Sequence, residues 1–98
     1  MAERHCIADI QVVPQAPDRV TTYALIDRAI AVIQTSGLHY EVGAMGTTLE
    51  GEADRVWEVL RAVHRAALDA GAPSQMTVIR LVESTEAHSM AEKTVKFR

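Results

Sequence analysis

Apolar and polar residues alternate along Cys6-Ile7-Ala8-Asp9-Ile10-Gln11-Val12-Val13, the two-residue period of an extended strand. Ala8, Ile10 and Val12 fall on one side, and Ile7, Asp9, Gln11 and Val13 on the other, which makes the second face mixed in character. Pro14 and Pro17-Asp18 break the strand. From about Val20 to Ser36 the period becomes helical, with Ile26, Ala29, Ile30 and Ile33 in one stripe, Asp18 placed to cap the start and Gly37 to end it. Leu38 to Met45 returns to alternation, setting Leu38, Tyr40, Val42 and Ala44 against His39, Glu41, Gly43 and Met45. Gly46 then offers a reversal, and Thr47-Thr48-Leu49-Glu50 reads as the return strand of a hairpin.

The spacing of Val56, Trp57, Leu60, Val63, His64, Ala67 and Leu68 predicts a second amphipathic helix. Glu52 and Asp54 lie at its positive end, and Gly71-Ala72-Pro73 stops it. Met76 to Glu83 alternates as a fourth strand. Glu86 to Lys96 predicts a short third helix with Ala87, Met90, Ala91 and Val95 as its apolar side. The element order is βαββαβ plus a helical tail, an α+β, ferredoxin-like sandwich. Right-handed crossovers put two helices on one face of a four-stranded antiparallel sheet of order 4-1-3-2.

The chain has 98 residues, 48% of them hydrophobic but only 4% aromatic, so one domain over residues 1–98 is expected, with an aliphatic core. Ten Lys and Arg stand against 13 Asp and Glu without clustering, which argues against a nucleic-acid or anionic-membrane partner. A lone Cys6 cannot staple the fold and reads as an inert core residue. No apolar stretch approaches the roughly 20 residues of a membrane span, and the first residues do not read as a signal peptide, so the expected location is the cytoplasm. His5, His39, His64 and His88 show no metal-ligand spacing, and no phosphate-loop, dinucleotide or nucleophile-elbow string occurs. Trp57 and His64 read as packing residues.

With both helices on one sheet face, the other must meet water or another chain. It carries Ile7, Val13, Met45, Val78 and Val82 by alternation, an apolar area that favours self-association with two-fold symmetry. The same face carries Asp9, Gln11, Glu41 and Arg80, with Thr48 or Glu50 alongside. Two readings stand: Arg80 pairs with Asp9 or Glu50 and fixes the register of assembly, or a carboxylate there awaits a cationic or hydrogen-bond-donating ligand.

Three strings carry more. Asp9-Ile10-Gln11-Val12-Val13-Pro14, Ser36-Gly37-Leu38-His39-Tyr40-Glu41 and Met45-Gly46-Thr47-Thr48-Leu49-Glu50-Gly51 together resemble the small thiamine-binding, YkoF-like protein family. The Gly-Thr-x-x-Glu-Gly string at 46–51 is the most specific part, and His64, Gly71 and Lys93-Thr94-Val95 agree with it. The resemblance implies a dimer or tetramer formed through the sheets and reversible binding of thiamine or its pyrimidine fragment, with no catalytic cofactor. It departs at Glu83-Ser84-Thr85-Glu86, where the family often shows a basic residue near an acidic one. The ligand-binding candidates are Asp9, Gln11, Glu41, Met45, Gly46, Thr47, Thr48 and Glu50, between subunits. Glu41 or Glu50 would meet the cation or amino group, the threonine hydroxyls would donate or accept, and Met45 would wall a flat ring. Two other readings are a small dimeric enzyme of monooxygenase or isomerase type with His64 in a sheet–helix cleft, and a sensor of another heterocyclic ligand.

Overall fold

The alternating segments pair and the periodic ones coil as the pattern requires. The structure, a computed structural model, describes residues 4–86 and 88–98. In order it contains β1 (His5–Pro14), α1 (Arg19–Gln34), β2 (His39–Val42), β3 (Thr47–Glu52), α2 (Ala53–Asp69), β4 (Gln75–Ser84) and α3 (Met90–Thr94), followed by a 3-10 turn over Val95–Phe97. The sheet runs β2-β3-β1-β4, antiparallel at every step. This is the ferredoxin-like order expected from the sequence, read from the other edge.

Both long helices pack on the face of Cys6, Ala8, Ile10 and Leu49. Against these four lie Ala29 and Ile33 of α1 and Val56, Val59, Leu60 and Val63 of α2, all buried. Burying an aliphatic side chain of the size of Ile33 or Leu60 stabilises by about 1.5–3 kcal/mol, so this layer dominates folding. Asp18 caps α1 by accepting the Thr21 N–H at 2.7 Å, and Gly37 takes φ 82° just past its end. A side chain at Gly37 would be strained by its own backbone.

Three expectations are corrected. β2 stops at Val42, because Gly43 N–H turns back to the Gly46 carbonyl at 2.8 Å, so Met45 sits in the turn and not on the strand's outer face. On α2 the buried stripe is Ala53, Val56, Val59, Leu60, Val63 and Ala67; Trp57 lies on its flank, 49% exposed, with its Nε1–H donating to Glu83 at 3.3 Å. Val56 takes the core position, next to Gly51 of β3, and Trp57 falls on the side toward β4. The third helix begins only at Met90, where the Ser89 hydroxyl caps it by accepting the Glu92 N–H, and Glu86 N–H bonds the Ser84 hydroxyl instead. Val95 is exposed, and Ala87 lies outside the described residues.

On the open face, Ile7 stands between Glu50 and Val82, Asp9 between Thr48 and Arg80, and Gln11 beside Val78. Ile7 is buried there because α3 folds back onto the β3 side, where Met90 N–H donates to Glu50 at 3.2 Å and the Met90 side chain is buried. Val13, Met76, Val78 and Val82, on the β4 side, remain exposed.

Candidate ligand-binding site

Strand register puts Glu41 directly opposite Thr48. Both side chains therefore leave the sheet on the open face, next to Gly46 at the start of the return strand. The carboxy-terminal segment roofs this spot. Ile7, Glu41, Gly46 and Thr48 form the floor of a cavity of about 270 Å³, and Met90, Lys93 and Arg98 form its far wall. That volume lies just under the range of ligand pockets in general, and the cavity is open on one side. The Arg98 guanidinium reaches Glu41 at 3.1 and 3.2 Å, between side chains that are each more than half exposed. An exposed pair of this kind contributes about 0–1 kcal/mol and exchanges readily.

Gly46 is fixed by space. A Cβ there would stand 3.0 Å from Asp9 Oδ1 and 3.1 Å from the Ile10 carbonyl oxygen. The turn therefore lies flush against Asp9, whose other carboxylate oxygen accepts from Arg80 at 2.7 Å. Of the two partners offered by the sequence, Arg80 takes Asp9, its cross-strand neighbour.

The other candidates fall outside the cavity beside Glu41. Thr47, next to Thr48 but on the opposite face, is buried beside Ile10 in the helix-side layer. Met45, 76% exposed, borders a second, smaller cavity of about 130 Å³ between α1 and the sheet, where Gln11, Gly46 and Thr47 join the aliphatic wall of Ile10, Val12, Ile26, Ile30 and Ile33. Gln11 is paired with Val78 of β4 and is not among the residues that line the cavity beside Glu41. Glu50, with a side chain 11% exposed, is engaged by Met90 N–H and by His5 Nε2 at 3.3 Å, with His39 Nε2 at 3.8 Å. The structure thus brings together Glu41, Gly46 and Thr48, sets Asp9 at their edge and gives Glu50 to the docking of α3. Sequence reasoning put Ile7 on the open face without connecting it to the site, and missed Met90 and Arg98 as walls of the cavity. Lys93 had a signal only in the family resemblance.

The acidic departure at Glu83 has a place of its own. Glu83 pairs with Cys6 across β1 and faces the helices, accepting from Arg4 at 3.1 Å, from Trp57 and from the Cys6 thiol at 3.6 Å. The Arg4 and Trp57 donors hold its carboxyl below the usual glutamate range. Burial, with the Glu83 charge nearby, pushes the Cys6 thiol up to about 11, so this cysteine is a poor nucleophile.

A groove also runs between α2 and β4, past Trp57, Leu60, Arg61, His64 and Ile79. His64 Nδ1 lies 2.6 Å from the Thr77 hydroxyl, and the His64 carbonyl accepts from Gln75. This histidine ties α2 to β4, the packing role read from its position. Among the described residues there is no group of three His, Cys, Asp or Glu placed to hold a metal ion, and no helix is long and apolar enough to cross a membrane.

Fold and cleft together define a small ferredoxin-like domain with a charged cavity on its open sheet face. The chain belongs to the thiamine-binding protein family, whose model matches residues 8–98. It is similar to a UPF0045 protein from Clostridium perfringens, 28% identical over 95% of this chain and 97% of that one. Among solved structures it is similar to a domain of unknown function from Bacillus cereus, 39% identical with a TM-score of 0.90, covering 98% of this chain and 92% of that one. A Thermotoga maritima protein assigned provisionally to thiamine biosynthesis or salvage is 29% identical with a TM-score of 0.85, covering 96% and 99%. The family resemblance read from the strings at 9–14, 36–41 and 46–51 is borne out.

Proposed function

We propose that this protein binds thiamine, or a related pyrimidine or thiazolium compound, reversibly and without chemistry, in the cytoplasm, at the cavity on the open sheet face. The observation that carries the reading is the pairing of Glu41 with Thr48 across neighbouring strands at the floor of that cavity. A fixed positive charge on the ligand suits the carboxylate, the Thr48 hydroxyl donates or accepts at the aminopyrimidine, and the thioether of Met90 packs against a flat ring. A charge-assisted bond contributes roughly 1.5–3 kcal/mol, and the solvent exposure of Glu41 sets this one near the lower end.

The cavity is open toward solvent, and Val13, Met76, Val78 and Val82 leave an apolar strip on the same face. A second copy laid sheet to sheet would cover that strip and close the mouth, making the site intersubunit. Family membership and the cavity beside Glu41 favour this reading over an enzyme working at the His64 groove, since His64 is held by Thr77.

Calorimetric titration with thiamine tests it. Saturable binding is expected, weakened about tenfold by Glu41→Gln. No heat and no thermal shift at millimolar thiamine removes the proposal, and turnover abolished by His64→Ala would move the function to the groove.

A further inference from the structure

The cavity offers more than the carboxylate that suits a cationic ring. One carboxylate, Glu41, shares it with two basic side chains, Lys93 and Arg98. Arg98 is already on Glu41 at 3.1 Å, whereas Lys93 has no acidic partner within 4.0 Å among the described residues. Asp9 does not redress the balance, because Arg80 neutralises it, and Glu50 is turned to Met90 N–H and His5.

A purely cationic guest meets two obstacles here. To reach Glu41 it must take the place of Arg98, exchanging one ion pair for another with no pair gained. It must then share a small space with two like charges, which lowers affinity. A guest carrying both a cationic ring and an anionic group behaves differently. Its ring goes to Glu41, its anion accepts the guanidinium so released, and Lys93 gains a partner it lacks. One ion pair is replaced by three.

Resting on the thiamine-type reading above, we infer that the preferred ligand is a phosphate monoester of the cationic heterocycle, with the ring at Glu41 and Thr48 and the phosphate held by Lys93 and Arg98. A phosphate monoester carries about −1.5 to −2 charge near neutral pH and offers three acceptor oxygens, which suits a lysine point charge beside an arginine fork. Both basic residues stand on the α3 arm while Glu41 stands on the sheet, so such a ligand also bridges arm to sheet.

Isothermal titration of the full chain with thiamine, thiamine monophosphate and inorganic phosphate, at low and high salt, tests this. Thiamine monophosphate is expected to bind at least tenfold more tightly than thiamine, with inorganic phosphate weakest and the preference shrinking at high salt. Lys93→Met and Arg98→Met should each lower monophosphate affinity, and Arg98→Met should raise thiamine affinity by freeing Glu41. Lys93→Glu should invert the preference; circular dichroism checks that each variant is folded. Thiamine binding as tightly as its monophosphate, or a preference that survives both methionine variants, overturns the inference and leaves the thiamine site standing. Binding of neither compound overturns both.

Discussion

The Glu50 carboxylate and the Met90 amide, forty positions apart in the chain, are joined by a hydrogen bond of 3.2 Å that fastens the carboxy-terminal segment to the open face of the sheet. Met90 begins α3, so the bond also serves one of the unpaired N–H groups of a helix start. The Glu50 side chain is only 11% exposed, which makes the bond one that water does not easily replace. Together with the buried Met90 side chain, it places the segment that carries Lys93 and Arg98 over Glu41.

Glu50→Ala is therefore expected to release the arm. Leaving a shielded amide without its acceptor costs about 1–3 kcal/mol, seen as a lower melting temperature. Hydrogen exchange over residues 88–98 should quicken while β1 and α2 stay protected. Unchanged exchange in the arm would show that apolar contact at Met90 holds it alone.

Gly46→Ala tests the close approach of the turn. Its new methyl would stand 3.0 Å from Asp9 Oδ1 and 3.1 Å from the Ile10 carbonyl, tighter than ordinary contact. Backbone and carboxylate must both move, at a cost of about 1–3 kcal/mol in stability. Ligand affinity should fall with it, because Gly46 is part of the cavity floor. Calorimetry and thermal melts read both effects.

Self-association is expected to depend on the uncovered strip. Val78→Arg places a charge beside Gln11 in the middle of that strip, leaving the helix-side core untouched. Light scattering should show a lower mass for this variant than for the parent, and thiamine titration a weaker site. A parent that is already monomeric would remove the intersubunit part of the proposal.

The pH dependence has two limbs with opposite signs. Glu83 has its folded pKa below the ordinary 4.5, so its contribution is present above that value and is lost as pH falls through the folded pKa. Emission of Trp57, the one tryptophan of the chain and a donor to Glu83, should report the acid step, and Glu83→Gln should blunt it. Cys6 has its folded pKa raised from 9.0 to about 11. Its contribution is complete below pH 9 and declines as pH rises toward 11, because the unfolded thiol ionises first. At pH 8 the thiol should resist alkylation in the folded chain and react at once in denaturant; rapid labelling of the native protein would contradict its burial.

The period of the sequence determined much of this. Alternation at 6–13 and helical spacing through 26–33 and 56–67 specify elements, and their order leaves few right-handed topologies, so the sheet order and the buried faces of β1 and β3 follow from local patterning. The strings at 9–14 and 46–51 pointed to the family, and Glu41, Gly46 and Thr48 were within reach because alternation places Glu41 and Thr48 on one face and the reversal places Gly46 beside them. Tertiary structure alone decided the rest. Whether Val56 or Trp57 faces the core depends on how α2 sits on the sheet, with Trp57 reaching Glu83 of β4, and the end of β2 depends on a bond from Gly43 to Gly46. Above all, the place of α3 is set by contacts between residues forty or more apart, Glu50 with Met90 and Glu41 with Arg98. A hydrophobic period tells which side of a segment is buried but not which distant segment buries it, and the charge of the cavity depends on that second fact.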